Sequence, residues 1–361
     1  MAYTTINDPS EYFSTVLYTG TATNSRPVIG TGFQPDWIWI KQRNATKNHN
    51  IWDSSRGVTK QLRANLTNAE ATNTTNDNLA SLDSDGFTLG DDTDSVGVNE
   101  RGQTYVAWNW KANGGTTTTN DASSTGVGTI DSVYQANTTA GFSIVTYTGT
   151  NAAGTIAHGL GAVPDWIITK NRVSANSWAI YHSANTSAPE TDFLLLNTDA
   201  ATVDNANRWN DVAPTSTVFS VKQSAETNNS DNSDTFVAYC FTEIQGYSKF
   251  GKYVGNGNAD GPFVYTGFKP AWLLVKNTSS AGNSWCLLDN KRQGFNPEND
   301  FLFPNSNDAE SVNLSNHGFD FLSNGFKNRG TGQNDDGDTF IYIAFAESPF
   351  VTSNGGPNNA Q

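Results

Sequence analysis

Aromatic side chains are the residues of this sequence best suited to contact a ligand. The chain has 10 tryptophans, and three of them, Trp39, Trp110 and Trp209, fit the repeated pattern described below less regularly than the others. Trp209 lies in a polar stretch of residues 207–211. An exposed aromatic ring gives a sugar a flat apolar surface to stack on. We therefore predict that any ligand contacts lie at Trp209, Trp110 and Trp39.

Acidic clusters are the second group of residues with possible chemistry. They occupy residues 91–94, 231–234 and 335–338, near the last strand predicted for each repeat. Calcium prefers several oxygen ligands, but none of the clusters has the twelve-residue EF-hand pattern, and Asp and Asn are ordinary turn residues. Neighbouring carboxylates alone do not make a glycosidase, which needs an acid and a base at a set separation. We predict no metal site and no cofactor.

Nucleophile and histidine patterns favour a protein that is not an enzyme. His49, His158, His182 and His317 show no metal-ligand spacing, and no hydrolase, nucleotide-binding or zinc-protease motif occurs. No catalytic residue is predicted. The two cysteines, Cys240 and Cys286, lie in apolar strand-like segments and are expected to be buried free thiols.

The charge excludes two classes of partner. The formal net charge is -14, and only 21 Lys and Arg are spread along 361 residues. Nucleic-acid binding needs a basic surface to neutralise phosphates. No apolar run approaches the length that spans a bilayer. We expect neither nucleic-acid binding nor membrane insertion.

A Pro-x-Trp unit followed by a short apolar run ending in Lys occurs three times and defines an internal repeat. The copies are Pro35-Asp36-Trp37-Ile38-Trp39-Ile40-Lys41, Pro164-Asp165-Trp166-Ile167-Ile168-Thr169-Lys170 and Pro270-Ala271-Trp272-Leu273-Leu274-Val275-Lys276. Further strand-like elements follow each copy in the same order and end in an aromatic strand, residues 104–110, 235–241 and 339–345. Proline before a β-rich run indicates a strand with a defined start.

About six short strands per hundred residues, separated by Gly, Asn and Asp, predict an all-β chain of three tandem antiparallel β-sandwich domains of jelly-roll or lectin-like type. The predicted divisions are repeat 1 with a short N-terminal arm (1–112), a flexible polar linker (113–140), repeat 2 (141–247), repeat 3 (248–347) and a C-terminal tail (348–361).

The repeated side chains are predicted to be structural. Tryptophans at equivalent strand positions favour core packing over ligand binding; they are Trp37, Trp166 and Trp272, with Trp52, Trp178 and Trp285 further along. The lysines that end the apolar runs, Lys41, Lys170 and Lys276, are expected to mark where each strand emerges into water.

The second copy carries the most specific strings, in residues 141–149, 158–161, 164–171 and 178–182. Together they resemble the repeat domain of virion and tail-fibre-type proteins of marine bacteriophages, including those of cyanobacteria. The resemblance covers nearly the whole chain. It implies a virion structural protein made in the host cytoplasm, forming an outward-facing fibre, spike or decoration. It also implies contacts with other virion proteins, homo-oligomers and a possible host-surface glycan. That family has no established catalytic residues.

Two alternatives remain open at the level of sequence. One is a carbohydrate-binding module that recognises a receptor, with binding rather than scaffolding as its main task. The other is a polysaccharide-degrading tailspike, which requires a pair of carboxylates across a cleft.

Overall fold

Antiparallel strands make up nearly all the regular structure in this computed structural model, which describes residues 3–229, 231 and 233–358. Repeat 1 contains β1 (Phe13–Thr19), β2 (Arg26–Ile29), β3 (Trp37–Gln42), β4 (Asn50–Asp53), β5 (Lys60–Arg63), β6 (Ala71–Thr72), β7 (Leu79–Asp83), β8 (Gly86–Leu89) and β9 (Thr104–Trp110). Next come β10 (Thr118–Asn120), the helical turn α1 (Ala122–Thr125) and β11 (Ser132–Asn137). Short 3-10 turns occur at Pro9–Glu11 and Pro189–Thr191.

The second and third repeats contain equivalent strands. Repeat 2 has β12 (Phe142–Thr148), β13 (Gly154–Ala157), β14 (Trp166–Asn171), β15 (Ala179–His182), β16 (Asp192–Leu195), β17 (Val203–Asp204), β18 (Val218–Val221) and β19 (Thr235–Phe241). Repeat 3 has β20 (Ser248–Val254), β21 (Phe263–Tyr265), β22 (Phe268–Asn277), β23 (Cys286–Asp289), β24 (Phe319–Leu322), β25 (Gly325–Asn328) and β26 (Thr339–Pro349).

Each repeat has one larger sheet, and four strands follow in the same order in all three. The orders are β1-β9-β3-β4-β5-β6, β12-β19-β14-β15-β16-β17 and β20-β26-β22-β23, so the last strand of each repeat lies between its first strand and the Pro-x-Trp strand. A smaller sheet, β2-β8-β7, β13-β18 or β21-β25-β24, forms a second layer. All of these strand pairs are antiparallel. The prediction of an all-β, antiparallel, sandwich-like chain is confirmed at this level.

The Pro-x-Trp strand is buried on both faces. In β3, Ile38 and Ile40 pack with Phe87 in a core that belongs to repeat 1 alone, between its two sheets. Trp37 and Trp39 point to the opposite face and join a different cluster. Successive side chains of a strand point to opposite sides, so an uninterrupted apolar run indicates cover on both. The larger sheet of repeat 1 therefore separates two apolar cores.

The second core is shared by all three repeats. It contains Trp37, Trp110, Trp166, Phe241, Trp272 and Phe345 together with their aliphatic neighbours. Its ring contacts cross every junction: Trp37 to Tyr239 at 4.7 Å between centroids, Trp166 to Phe250 at 6.3 Å, and Trp110 to Trp272 at 5.6 Å. The larger sheets thus meet around one central aromatic core.

Residues 113–140, predicted to be a flexible linker, are part of the fold, so that prediction is wrong. β10 and β11 extend the larger sheet of repeat 2 beyond β12. Gln135 of β11 donates to Ser54 Oγ at 2.8 Å and to Ser55 Oγ at 2.9 Å, which ties the segment to repeat 1. Threonine-rich sequence has good strand propensity, but its polar outer face gives it the composition of a linker.

The N-terminal arm packs against the third repeat and the end of the second. The Tyr3 hydroxyl donates to the Gly267 carbonyl at 2.7 Å, and Thr4 Oγ1 donates to the Gln245 carbonyl at 2.7 Å. Asn7 donates to Ser353 Oγ at 2.8 Å, so the arm also contacts the tail. Residues 359–361 of the tail lie outside the described residues. In the described part of the chain, no helix has both the length and the apolar character needed to cross a bilayer.

The shared core predicts cooperative unfolding of the whole chain. We expect a single transition in differential scanning calorimetry, because no repeat can unfold without exposing the aromatic faces of the other two. Trp110→Ala should lower the free energy of unfolding by about 3–5 kcal/mol, the cost of a large core cavity, and should leave the transition single. Val254→Ala, on an exposed strand position, is the control. Separate transitions for the repeats would contradict this expectation.

Candidate functional site: the seams between the repeats

The three tryptophans predicted to contact a ligand are buried, so the prediction that they lie at a surface is wrong. The exposed fraction is 0% for Trp39, 1% for Trp110 and 2% for Trp209. Trp39 Nε1 donates to Nδ1 of His49 at 2.9 Å, and the Trp110 ring lies 4.9 Å from that of Phe13. Trp39 and Trp110 belong to the shared core, which is not evident when one repeat is considered alone.

Trp209 occupies the core between the two sheets of repeat 2. Its ring makes an edge contact with Tyr181 at 6.0 Å, while the neighbouring Arg208 guanidinium lies 4.4 Å over the Phe193 ring. The residues on either side of Trp209 are partly or fully exposed, so the indole is the only side chain of this loop segment that points into the core. Because the loop around it is polar, the sequence alone does not identify Trp209 as a core residue.

The tryptophans predicted to be structural are buried, as expected, but one was assigned to the wrong register position. Trp37 pairs with Asp53, Trp166 with His182 and Trp272 with Asp289. Trp178 and Trp285 therefore correspond to His49, not to Trp52. Equivalent hydrogen bonds agree: the backbone N–H groups of these three residues donate to Asn197, Asn305 and Asn65.

The two tryptophans of this set make polar contacts across the junctions between repeats, which we call seams. Trp178 Nε1 of repeat 2 donates to the Arg63 carbonyl of repeat 1, and Trp285 Nε1 of repeat 3 donates to the Leu195 carbonyl of repeat 2, both at 2.9 Å. His49 of repeat 1 lies beside the Phe303 carbonyl of repeat 3. Repeat 2 thus contacts repeat 1, repeat 3 contacts repeat 2, and repeat 1 contacts repeat 3, so the three contacts form a closed cycle.

The three lysines predicted to reach water are buried, so that prediction is also wrong. The Lys170 ammonium donates to the Thr67 carbonyl of repeat 1 at 3.0 Å and to the Asn176 carbonyl of its own loop at 2.7 Å. Lys276 reaches the Asp199 carbonyl of repeat 2 at 3.1 Å, and Lys41 reaches the Asn307 carbonyl of repeat 3 at 3.4 Å. Each lysine thus joins its own repeat to the one before it in the cycle.

Burial makes these ammonium groups easier to deprotonate. Loss of hydration lowers the pKa of Lys170 to about 7 and those of Lys41 and Lys276 to about 8. Carbonyl oxygens stabilise the charge only in part. The seams therefore hold three cations whose charged form is disfavoured by the fold.

Ion pairs complete the seam between repeats 1 and 2. Arg56 contacts Asp53 at 2.5 Å and Glu70 at 2.9 Å, and Glu70 also contacts Arg172 of repeat 2 at 2.9 Å. The Tyr239 hydroxyl of repeat 2 donates to Asp53 at 2.7 Å. These groups are satisfied by one another, as a buried ionic network must be.

An equivalent network lies in the seam between repeats 3 and 1. Arg292 contacts Asp289 and Glu310, both at 2.6 Å, and Glu310 contacts Arg43 of repeat 1 at 2.8 Å. Trp108 Nε1 of repeat 1 donates to Asp289 at 3.0 Å, in the position that Tyr239 occupies in the first seam.

Among the described residues, the seam between repeats 2 and 3 has no arginine–carboxylate network of this kind. Besides Lys276 and the ion pair of Lys249 with Glu243 at 2.6 Å, it uses uncharged groups. His182 Nε2 lies 3.1 Å from the Tyr342 carbonyl, and burial lowers the pKa of His182 to about 4, so its ring is neutral at pH 7. The Thr202 hydroxyl donates to Asn185 Oδ1 at 2.7 Å, and the Thr202 N–H donates to the Thr278 carbonyl at 3.1 Å.

A further difference between the seams lies at the residue before each repeated tryptophan. Asp36 accepts from Ser54 Oγ at 2.6 Å and from the Ala112 N–H at 2.7 Å. Asp165 accepts in the same way from Ser183 Oγ at 2.9 Å and from the Glu243 N–H at 2.8 Å. Repeat 3 has Ala271 here, and a cavity of about 240 Å³ lies beside it. The change from Asp to Ala is visible in the sequence, but its effect on the seam can be seen only in the structure.

Acidic clusters, by contrast, serve as turns. Asp92 accepts from the N–H groups of Val98 and Asn99 at 2.8 and 2.9 Å, and Asp234 accepts from Asn171 Nδ2 at 2.8 Å. Asn232 of the second cluster lies outside the described residues. Within residues 3–229, 231 and 233–358, no group of three His, Cys, Asp or Glu side chains is placed to hold a metal ion. Cys240 and Cys286 are buried free thiols, as predicted.

Comparison with known families assigns nearly the whole chain to one group. Residues 8–349 match DUF7483, a domain of unknown function. The chain belongs to this family. No curated protein matches it. The matched region of this DUF7483 chain spans all three repeats, the two arginine–carboxylate networks and the Ala271 cavity.

Trp209→Ala tests whether that tryptophan is structural. Because its ring fills the core of repeat 2, we expect the free energy of unfolding to fall by about 3–5 kcal/mol, measured by urea denaturation. Val212→Ala, a nearby exposed position, should change it by less than about 0.5 kcal/mol. A Trp209 variant as stable as the unsubstituted chain would rule out this role.

Lys170→Met tests the buried ammonium through the pH dependence of stability. The pKa of Lys170 falls from 10.5 to about 7 on folding, so the unfolded chain binds more protons between these values and stability rises with pH. The free energy of unfolding should therefore increase from about pH 7 to about pH 9, and less steeply in the variant. Lys252→Met, at an exposed strand position, should keep the original slope. Equal slopes in all three proteins would exclude this account.

Proposed function

We propose that this chain is a structural protein of a bacteriophage virion, displayed as an outward-facing fibre, spike or decoration. The observation that carries the proposal is the closure of three repeats around one aromatic core, with buried lysines crossing every seam. A closed arrangement of three repeats holds many surface loops in fixed positions, which suits a virion protein that contacts several neighbouring proteins. The resemblance of the repeat strings to phage virion proteins supports the same proposal.

We also propose that each repeat is a sandwich of jelly-roll or lectin-like type. Each repeat pairs a larger sheet with a smaller one over an apolar core, an arrangement compatible with a jelly-roll or lectin-like sandwich. Sandwiches of this kind present their loops at the ends of the sheets. The loops would then supply contacts to other virion proteins and, in the receptor-binding version of the proposal, to a host glycan.

Exposed aromatic side chains in repeat 3 support contact with a partner. Phe263 and Tyr265 of β21 are 47% and 53% exposed and lie on the same side of the strand. Exposed apolar patches of this kind mark interaction surfaces in many proteins. We propose that they contact another virion protein or a second copy of the chain.

The proposed role is not enzymatic. The buried carboxylates of the seams, including Asp53, Glu70 and Asp289, are paired with arginines. A tailspike hydrolase would need an acid and a base facing each other across an open cleft. The buried carboxylates of the seams are instead occupied by arginines.

Light scattering after size-exclusion chromatography tests the assignment. We expect the purified chain to form a homo-oligomer or to bind purified virion proteins or host cells in pull-down assays. Phe263→Ser should weaken that association with the fold intact, whereas Val312→Ser, at an exposed position away from β21, should not. A stable monomer that binds neither virion proteins nor cells would refute the proposal.

A further inference from the structure

The cavity beside Ala271 lies in the seam between repeats 3 and 1. Its walls include Phe13 and Thr15 of β1 and, from repeat 3, Ala271, Asn290, Lys291 and Glu347. The volume is about 240 Å³, smaller than the pockets that hold drug-sized ligands. Lys291 is exposed, and Asn290 is buried.

One wall of the cavity exists because repeat 3 lacks an aspartate. Strand register makes Ala271 the counterpart of Asp36 and Asp165, and Asn290 the counterpart of Ser54 and Ser183. In the other repeats, the carboxylate accepts a hydrogen bond from that serine. Alanine removes the acceptor and the volume of the carboxylate together.

The opposite wall also carries a smaller side chain than its counterparts. Thr15 pairs with Trp108, Ile144 with Tyr239 and Phe250 with Ile343, so these three residues are equivalent. Ile144 and Phe250 are buried in the shared core at the other seams. Threonine replaces them with a smaller, polar group only at the seam that contains the cavity.

Two buried polar atoms at this cavity lack partners. Asn290 is 6% exposed, and neither its Oδ1 nor the Oγ1 of Thr15 has a hydrogen-bond partner among the described residues. Buried polar groups are normally satisfied, so these two atoms call for a partner that the chain itself does not supply. Both groups belong to residues that line the cavity.

We propose that this cavity binds one small, neutral, hydroxyl-rich molecule, such as a hexose or a shorter polyol. A hydroxyl both donates and accepts, so it can satisfy the carboxamide of Asn290 and the hydroxyl of Thr15. Phe13 offers an apolar wall to the C–H groups of the same molecule. The two charged side chains that line the cavity, Lys291 and Glu347, have opposite signs, so the lining carries no net charge to attract an ionic ligand. The inference rests on the cavity and is independent of the virion assignment.

Isothermal titration calorimetry on the full chain tests the proposal with glucose, galactose, mannose, glycerol and glucuronate as probes. At least one neutral probe should bind with one-to-one stoichiometry. Ala271→Asp, which restores the carboxylate present in the other repeats, should weaken binding by about tenfold or more and raise the melting temperature, because Asn290 Nδ2 can donate to the new carboxylate.

Thr15→Ile provides a second variant, since isoleucine already occupies the equivalent position in repeat 2. It should also weaken binding by about tenfold or more. Thr19→Ile, the same change at an exposed position of the same strand, should leave binding unchanged. The proposal is overturned if no neutral probe binds, if only glucuronate binds, or if the folded cavity variants bind as tightly as the unsubstituted chain.

Discussion

Burial of the Pro-x-Trp sheet on both faces is the constraint on which the rest of the structure depends. One face closes the sandwich of its own repeat, and the other must be covered by aromatic side chains from the other two repeats. A polar face at this position would allow each repeat to stand alone. Because Trp37, Trp166 and Trp272 all point to the common core, the three sheets can satisfy their burial only together. The seams between the repeats follow from that arrangement.

Closing apolar sheets against one another brings polar backbone into the seams, and the buried lysines meet that demand. Loop carbonyls that lose water need donors, and a lysine at the end of an apolar strand can reach across to the adjoining repeat. Lys170 bridges two such carbonyls at the cost of holding an ammonium group in a poorly hydrated place. Arg56 and Arg292 do similar work with carboxylates. We expect specific contacts of this kind to fix how the sheets are oriented, which a purely apolar interface would leave less well defined.

Much of the fold was predictable because strand periodicity and Pro-x-Trp spacing are local signals. The residues that cover the second face of each larger sheet were not predictable, because they come from parts of the chain that are far apart in sequence. Trp39 and Trp110 were therefore assigned to a surface, and Lys41 to water. The uninterrupted apolar run of β3 did contain the signal, since a half-exposed strand alternates. The spacing also indicates the correct register, because His49 lies 12 residues after Trp37, as Trp178 does after Trp166.

The seam between repeats 2 and 3, where His182, Asn185 and Thr202 stand in place of an arginine–carboxylate network, shows what covalent fusion of the repeats permits. In a trimer of identical chains, every substitution appears three times, so a change that suits one interface is imposed on all. Here each seam is encoded by its own stretch of sequence. One junction can exchange arginine and carboxylates for neutral groups, and another can lose an aspartate, while the remaining junctions hold the body together. Asymmetry can therefore accumulate within a nearly symmetric frame, one interface at a time.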